Sequence, residues 1–352
     1  MISGHPIDLP QRIIIGENVL DNIGNQVFEL FNKGKSVLIF TGPNVYRKYY
    51  SKVKESLEDK GFSVSYMITS APTVDYAKSL SDEVSKDNFD ILLGLGGGRS
   101  IDLTKYVAMS LDKNFISVPT AASHDGITSP FVTLRGFDRF HSKPAKPPKL
   151  ILIDINVIMD APKRHNAAGF GDLIGKYTSV LDWRLAHKLK GEYYGEYAAS
   201  LALMSAKHVS IYSKEIGLGN KEGIRVLSEA LVSSGVAMCI AGSSRPASGS
   251  EHLFAHALEM VSKNPPLHGE AVGVGTIMMS YLYGKDWKKI RELLKTVGAP
   301  TNAKELGVTE DEILKALTKA VSIRPERYTI LGDSGLNEKA AEELAKSTLV
   351  IR

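Results

Sequence analysis

The chain has a single cysteine among its 352 residues, so an intrachain disulfide and a cysteine metal cluster are both excluded. This residue, Cys239, lies in the apolar segment GVAMCIAG, which favours a small buried side chain. Apolar runs approaching the roughly 18 residues that span a bilayer are absent. The first residues, MISGHPIDLPQRIIIG, lack the basic start and apolar stretch of a secretory signal. We therefore expect a cytoplasmic protein without membrane insertion.

A strong excess of charge of one sign is also absent. The chain has 43 basic and 39 acidic residues, which give a formal net charge of +4, and the lysines are spread along its length. Binding to nucleic acid needs a concentrated basic face, so we expect no nucleic-acid partner. A chain of this length is expected to form about two domains.

Short apolar, β-branched runs alternate with segments of helical spacing over the first 160 residues. This alternation is typical of a parallel sheet covered by helices on both faces. The runs that predict strands are 36–41, 63–68, 90–98, 114–119 and 149–154, and the helical segments between them are 45–60, 75–87 and 99–111. The proline-containing segment 131–148 interrupts the alternation and predicts a hairpin or a long loop.

Helical periodicity dominates the second half of the chain. We predict an α/β domain over residues 1–160 followed by an all-α domain over residues 161–352. The candidate helices of the second domain are 166–187, 193–214, 221–241, 248–262, 268–283, 285–296, 309–322 and 337–347.

A glycine-rich turn, GGGRSID at 96–102, follows one predicted strand and opens a predicted helix. Glycines let backbone N–H groups approach an anion closely, and a helix N-terminus favours negative charge. The spacing differs from both the common dinucleotide fingerprint and the phosphate loop that ends in G-K-[ST]. A second polar turn, PTAAS at 119–123, follows the next strand, and open α/β sheets bind nucleotides at such strand ends. The pattern leaves a nucleotide site and a simple tight turn both open.

Three histidines and an aspartate in the second half form a candidate metal constellation. His252 and His256 are four residues apart and share one helix face, while two prolines separate them from His268 at the start of the next element. Two imidazoles and one carboxylate, such as Asp172, with one open position describe a catalytic zinc site. Spacing alone also allows a polar helix face for the histidines, a helix cap at Asp172 and simple turn chemistry at Asp125.

Five separated motifs resemble one superfamily. In chain order they are GGGRSID, PTAASHDG, GFGDLIGK, SGSEHLFAHALE and HGEAVGVG, and they are similar to those of the dehydroquinate synthase, glycerol dehydrogenase and iron-containing alcohol dehydrogenase superfamily. The forms PTAASHDGITSP and SRPASGSEHLFAH resemble the glycerol-1-phosphate dehydrogenase branch. The resemblance implies a dehydroquinate synthase-like fold, with a Rossmann-like N-terminal domain and a helical C-terminal domain.

The resemblance also implies one zinc ion per chain, held by Asp172, His252 and His268. Asp125 and His256 would be catalytic and contact the substrate, together with Asp172. The residues expected to bind NADPH or NADH are Asn44, Gly96, Gly97, Gly98, Arg99, Ser100, Ile101, Asp102, Thr120, Ala121, Ser123 and Ser129. Candidate partners of a substrate phosphate are Arg245 and the basic residues Arg139, Lys143 and Lys146.

The activity that the resemblance implies is the reversible reduction of dihydroxyacetone phosphate to sn-glycerol 1-phosphate, the backbone of archaeal ether lipids. We expect both NADPH and NADH to serve, because no carboxylate follows the strand before Asn44 to repel a 2′-phosphate. A homo-oligomer of two or more copies is also expected. The alternatives are a glycerol dehydrogenase or another polyol dehydrogenase with the same site, and a non-catalytic nucleotide-binding protein.

Overall fold

The structure, a computed structural model, describes residues 6–32, 36–136 and 142–352. The chain divides into two compact units. The first unit comprises Pro6–Ala122 and Gly126–Ala161, and the second comprises Ser123–Asp125 and Pro162–Arg352. The short segment Ser123–Asp125 thus belongs to the helical unit, although it lies between strands of the first unit in sequence.

The first unit is built on a six-stranded parallel sheet with the strand order β1-β8-β5-β4-β2-β3. A separate antiparallel pair, β6 with β7, lies within the segment where a hairpin or loop is predicted. The strands are β1 (Arg12–Gly16), β2 (Ser36–Thr41), β3 (Ser63–Ile68), β4 (Ile91–Gly96), β5 (Asn114–Pro119), β6 (Phe131–Thr133), β7 (Ser142–Pro144) and β8 (Leu150–Asp154). The five predicted strands are confirmed, whereas the short run RIIIG of β1 escaped prediction.

Helices pack on both faces of this sheet, so its four inner strands are apolar and almost fully buried. Ile39, Leu93 and Leu152 belong to a cluster with residues of α1 and α3, whereas α5 packs on β2, β4 and β5. The helices are α1 (Ile23–Phe31), α2 (Pro43–Val45), α3 (Ser51–Glu58), α4 (Val74–Val84), α5 (Gly98–Ser110) and α6 (Ile155–Met159), and a π-helical turn, Tyr46–Tyr50, joins α2 to α3.

The second unit is helical throughout its described residues. Its helices are α7 (Lys163–Ile174), α8 (Lys176–Lys190), α9 (Glu196–Ile211), α10 (Ser213–Leu218), α11 (Lys221–Ala241), α12 (Ser250–Val261), α13 (His268–Leu282), α14 (Trp287–Thr296), α15 (Ala303–Leu306), α16 (Glu310–Ile323) and α17 (Glu338–Ser347). The predicted fold class, a parallel α/β domain with an all-α domain, is therefore confirmed. Two predicted helices, 166–187 and 193–214, each correspond to a pair of helices in the structure.

One helix, α11, is long and apolar enough to cross a membrane by length and composition alone. Its 21 residues include a window with a mean hydropathy of 1.6, and 72% of that window is buried inside the protein. Core helices of folded proteins meet the same criterion, and α11 packs against α9 within the second unit.

Two glycines allow α7 and α13 to touch backbone to backbone. A Cβ atom at Gly269 would overlap the carbonyl oxygen of Ala168, and one at Gly171 would overlap the carbonyl oxygen of Gly269. No other residue type fits such a contact without moving a helix. The close approach brings Asp172, at the end of α7, next to His268, at the start of α13.

Candidate metal centre and nucleotide-binding turn

Asp172, His252 and His268 converge in the second unit, although they come from three different helices. Each offers one ligand atom, and the three atoms all lie within 4.8 Å of one another. Asp172 and His252 are buried, while His268 keeps a partly exposed edge. The ring of His268 packs at 5.1 Å from that of His252 and at 5.3 Å from that of His256, measured between ring centroids.

The protonation states of two of these residues suit a cation. Although burial acts to raise the pKa of Asp172, Lys176 and His252 lower it below its usual value, so this side chain is a carboxylate. Burial and the neighbouring His252 lower the pKa of His268 to about 3, so its imidazole is neutral at pH 7 and offers a lone pair. A neutral imidazole and an ionised carboxylate are the forms that bind metal.

The orientation of His252 is fixed by two carboxylates. Its Nδ1 lies 2.8 Å from Glu251 Oε1, so Nδ1 donates its proton there and Nε2 is directed towards Asp172 Oδ1, 3.3 Å away. Burial lowers the pKa of His252, but the neighbouring carboxylates of Asp172 and Glu251 outweigh it and raise the pKa overall. A carboxylate on the far nitrogen of a ligating histidine is the usual outer partner of a zinc site.

The donor set fits zinc. The buried Asp172 Oδ1 accepts no hydrogen bond of normal geometry from any described residue, although Lys176 Nζ and His252 Nε2 both lie 3.3 Å away. A buried carboxylate oxygen without a hydrogen bond is costly unless a cation completes it. Two imidazole nitrogens and one carboxylate oxygen leave a fourth position for a substrate, as catalytic zinc sites do.

Buried carboxylates anchor the start of α12. Glu251 accepts hydrogen bonds from Gly249 N and Thr178 Oγ1, both at 2.7 Å, in addition to that from His252. Asp182 accepts hydrogen bonds from the backbone N–H and the hydroxyl of Ser250, from the hydroxyl of Tyr283 and from the backbone N–H of Ile330. Burial and the charge of Glu251 raise the pKa of Asp182 to about 6.

Sequence reasoning missed both of these acids. Glu251 adjoins a predicted ligand, and that adjacency was the available signal. Nothing local in the sequence indicates the role of Asp182, because its partners are far along the chain.

Asp125 and Lys176 complete the surroundings of Asp172. The backbone N–H of Asp125 donates to Asp172 Oδ2 at 3.1 Å, and its own carboxylate accepts a hydrogen bond from Ser234 Oγ at 2.7 Å. Lys176 Nζ lies 2.9 Å from Asp125 Oδ2 and 3.3 Å from Asp172 Oδ1. Burial lowers the pKa of Lys176, but Asp125 and Asp172 outweigh it and raise the pKa, so the ammonium stays charged. Sequence reasoning missed Lys176, although its spacing of four from Asp172 on a helical stretch was a signal.

The structure thus brings together five of the predicted site residues, with His256 buried beside the other two histidines at 6.3 and 5.3 Å between ring centroids. Arg245 lies in a different environment. The residue is 3% exposed, and its guanidinium forms two hydrogen bonds to the carboxylate of Glu192 and donates to the carbonyl oxygen of Tyr328 at 2.9 Å. A phosphate could reach this guanidinium only by displacing Glu192.

The glycine-rich turn lies in the first unit, where β4 runs directly into α5. A Cβ atom at Gly97 would meet nothing within 4 Å, so the backbone there faces open space. Ser100 Oγ is held 3.0 Å from Thr69 Oγ1, and the N–H of Thr120 donates to the carbonyl of Gly96 at 3.0 Å. This open backbone at a helix N-terminus suits an anion.

The remaining residues predicted to bind the cofactor differ in exposure. Asn44 follows β2, and Thr120 and Ala121 follow β5, at the same edge of the sheet as the glycine-rich turn. Thr120, Ala121 and Ser129 are buried, Arg99 is exposed, and the Ile101 side chain points into the core. Asp102 is also buried and lies 3.4 Å from Lys105 Nζ. Ser123 belongs to the second unit.

Among the predicted phosphate partners in the first unit, the exposed Lys146 forms an ion pair of 2.6 Å with Asp112. Lys143 lies in β7, and Arg139 falls outside the described residues.

Comparison with solved structures identifies the fold. The chain aligns with glycerol dehydrogenase from Schizosaccharomyces pombe at a TM-score of 0.81 and 21% identity, covering 98% of this chain and 90% of the other. A probable glycerol dehydrogenase from Sinorhizobium meliloti aligns at a TM-score of 0.79 and 17% identity, covering 98% of each chain. The family model described as iron-containing alcohol dehydrogenase matches residues 14–162. The fold is therefore that of the glycerol dehydrogenases and iron-containing alcohol dehydrogenases.

Sequence relatives narrow this class to one family. The chain is 62% identical to glycerol-1-phosphate dehydrogenase (NAD(P)+) from Aeropyrum pernix and 53% identical to the protein of the same name from Hyperthermus butylicus, over 99% of each chain in both cases. The chain belongs to the glycerol-1-phosphate dehydrogenase family, a family of oxidoreductases. The resemblance inferred from the five motifs is confirmed.

Proposed function

We propose that this enzyme reduces dihydroxyacetone phosphate to sn-glycerol 1-phosphate, reversibly, with NADPH or NADH. The observation that carries the proposal is the convergence of Asp172, His252 and His268 within 4.8 Å in a member of this family. The product would supply the glycerophosphate backbone of archaeal membrane ether lipids. We further propose that the enzyme acts in the cytoplasm as a homo-oligomer, with the small molecule as its partner.

Asp172, His252 and His268 would hold a single zinc ion. Bound there, zinc supplies a Lewis acid that polarises a carbonyl and stabilises the negative charge that develops on its oxygen. Glu251 keeps His252 in the tautomer that exposes Nε2. The neutral state of His268 at pH 7 makes its lone pair available without loss of a proton.

The remaining chemistry is the delivery of a hydride and a proton to one carbonyl group. A reduced nicotinamide held by the first unit would supply a hydride to C2 of the substrate, and the C2 oxygen would take up a proton as its double bond to carbon becomes a single bond. His256 would transfer that proton, directly or through water, because general acid–base catalysis by a positioned imidazole is common. The carboxylate of Asp125, fixed by Ser234, would accept a hydrogen bond from a substrate hydroxyl.

The first unit would bind the nicotinamide cofactor, and the second the metal and the substrate. The open backbone at Gly97, with Gly96 and Gly98 beside it, and the N-terminus of α5 would hold the pyrophosphate. The rest of the cofactor site would be lined by Ser100, Thr120 and the other residues predicted to bind the cofactor. Arg245 could contact the substrate phosphate only if the phosphate replaced Glu192 as its partner. Lys143 and Lys146 are the alternative contacts.

A kinetic comparison tests the substrate. The oxidation of NADPH and of NADH should be measured with dihydroxyacetone phosphate and with dihydroxyacetone, followed by chiral analysis of the product. We expect a far higher kcat/KM with the phosphate, because binding energy from a remote group lowers the barrier to reaction. Equal values for the two substrates would instead assign the enzyme as a glycerol dehydrogenase.

Metal analysis tests the ligand assignment. Purified His252→Ala and His268→Ala should lose zinc and activity together. His256→Ala should keep about one zinc per chain while kcat falls on the order of 10²–10⁴-fold, the contribution of a general acid–base group. If His256→Ala lacked zinc while His252→Ala retained it, the two roles on α12 would be exchanged.

A further inference from the structure

Lys176 is a fully buried cation at the centre of the second unit. Its side chain is 0% exposed, and its ammonium lies 2.9 Å from Asp125 Oδ2 and 3.3 Å from Asp172 Oδ1. An ammonium at this depth is costly unless acids compensate it, so the arrangement of one lysine between two carboxylates is specific. The two acids differ in their positions, because Asp172 belongs to the group of three side chains that could hold a metal and Asp125 does not.

Asp125 is itself a suitable metal ligand close to the centre. Its backbone N–H is hydrogen bonded to the Asp172 carboxylate, and its side chain shares Lys176 with that carboxylate. Aspartate oxygen is an ordinary zinc ligand, and a fourth protein ligand converts a catalytic site into a closed, structural one. The enzyme therefore needs a reason for Asp125 to stay off the metal.

Two groups hold the same oxygen of Asp125. Lys176 Nζ and Ser234 Oγ both contact Oδ2, at 2.9 and 2.7 Å. The contact with Lys176 is an ion pair that carries a full charge but lacks hydrogen-bond geometry, whereas the contact with Ser234 is a neutral hydrogen bond. Only the loss of Lys176 therefore changes the charge beside the carboxylate. Ser234 lies in α11 and Lys176 begins α8, so two helices of the unit fix the carboxylate.

We propose that Lys176 is a positioning residue that keeps the Asp125 carboxylate off the metal, so that the fourth coordination position stays open for the substrate. Without this ammonium, the metal would become the nearest cation to both carboxylates. Asp125 would then close the site, and the metal would bind more tightly but serve less well in catalysis. A variant that had merely lost structure would bind the metal more weakly, not more tightly, because its site would be damaged.

The test measures metal binding in the full-length protein, by chelator competition for zinc and by the visible absorption of the cobalt(II)-substituted protein. In Lys176→Met we expect the dissociation constant of zinc to fall about tenfold or more, because a positive charge is removed and a ligand is gained. The cobalt(II) spectrum should change with the new ligand. The double variant Lys176→Met/Asp125→Asn should restore the dissociation constant and the spectrum towards those of the unmodified protein.

Two further variants complete the design. Ser234→Ala removes only the neutral contact to Asp125, so it should shift both readouts in the same direction by a smaller amount, even if Lys176→Met does not fold. Lys315→Met is the control. Lys315 also lies in the second unit and forms an ion pair of 2.6 Å with an aspartate, Asp311, but this pair is exposed on α16, so its loss should leave zinc binding unchanged.

Weaker or unchanged zinc binding in both Lys176→Met and Ser234→Ala would overturn the proposal, and so would tighter binding that persists in the double variant. Because an open position matters only to a metal-dependent reaction, this role rests on the function proposed above. The zinc and cobalt measurements need no substrate, however, so they distinguish a failure of this role from a failure of the substrate assignment.

Discussion

Replacement of Glu251 by glutamine separates the contribution of an outer carboxylate to the metal centre from its contribution to the fold. Glutamine keeps the shape of the side chain and an oxygen that can accept from His252 Nδ1, so the change removes mainly the negative charge. The loss of a carboxylate behind a ligating histidine typically weakens metal binding by about 10–100-fold, or roughly 1.4–2.7 kcal/mol. We expect the dissociation constant of zinc to rise within this range.

The stability of the metal-free fold should also respond to this change. Glu251 is buried near Asp182, and its charge contributes to raising the pKa of that residue. Burial acts to raise the pKa of Glu251 itself, but His252, Thr178 and Gly249 outweigh it and lower the pKa, so the fold stabilises this charge. The metal-free Glu251→Gln protein should therefore have a lower Tm than the unmodified protein, although relief of the repulsion with Asp182 offsets part of the loss. Weaker zinc binding together with a lower metal-free stability is the expected combination.

Chelator competition and thermal unfolding of the metal-free protein measure the two quantities. Glu312→Gln is a suitable control, because Glu312 forms an exposed capping box with Thr309 at the start of α16. It should lower the Tm slightly and leave zinc binding unchanged. If zinc bound Glu251→Gln as tightly as the unmodified protein, to within about twofold, the argument from the His252 hydrogen bond would be refuted.

Four further outcomes are expected. Gly97→Ala should fold normally, because its Cβ meets nothing within 4 Å, but should raise the KM for NADPH; an unchanged KM would remove the turn from the cofactor site. Gly269→Ala should cost about 3 kcal/mol or more in the free energy of unfolding, since the new Cβ overlaps the carbonyl of Ala168, and a near-normal Tm would contradict this packing. Both coenzymes should support turnover, and a preference for NADH above about a hundredfold, or roughly 2.7 kcal/mol, would show that the interpretation of Asn44 is wrong. Zinc affinity, measured by chelator competition, should fall as the pH is lowered from about 7.5 to about 5.5, because His252, whose pKa is raised, must lose a proton to bind the metal, whereas His268 is already neutral in this range; a constant affinity would argue against His252 as a ligand.

Patterns local in sequence were sufficient for much of the fold. The buried strands were predictable because each is a β-branched run followed by a turn, and the helical half was predictable from its periodicity. The strand β1 was missed because its apolar run is only three isoleucines, between Arg12 and Gly16, and the strand is only partly buried at the edge of the sheet. Helix boundaries were less certain for a similar reason, since a glycine such as Gly175 can interrupt a helix without ending its periodicity.

Less of the candidate site than of the fold could be predicted from the sequence. The role of Lys176 depends on Asp125, which is distant in sequence and reaches it only in the folded chain. Arg245 is the converse case. The sequence alone suggests a cation that could bind a phosphate, but in the folded chain Arg245 forms an ion pair with Glu192. Charge compensation between distant residues is a property of the tertiary structure, and neither composition nor spacing encodes it.

The pairing of β1 with β8 has a consequence for synthesis of the chain. Arg12 pairs with Leu150 and Gly16 with Asp154, and the Asp154 carboxylate also accepts hydrogen bonds from the N–H groups of Asn18 and Leu20. At ordinary translation rates, the ribosome needs on the order of ten seconds to extend the chain from one of these strands to the other. During this interval the run of isoleucines in β1 has no partner strand. In a chain that lacks the residues before Asn18, the strand β8 would instead become an unpaired edge of the sheet, open to other chains. Nascent and truncated forms of this enzyme should therefore be the ones that aggregate or require a chaperone.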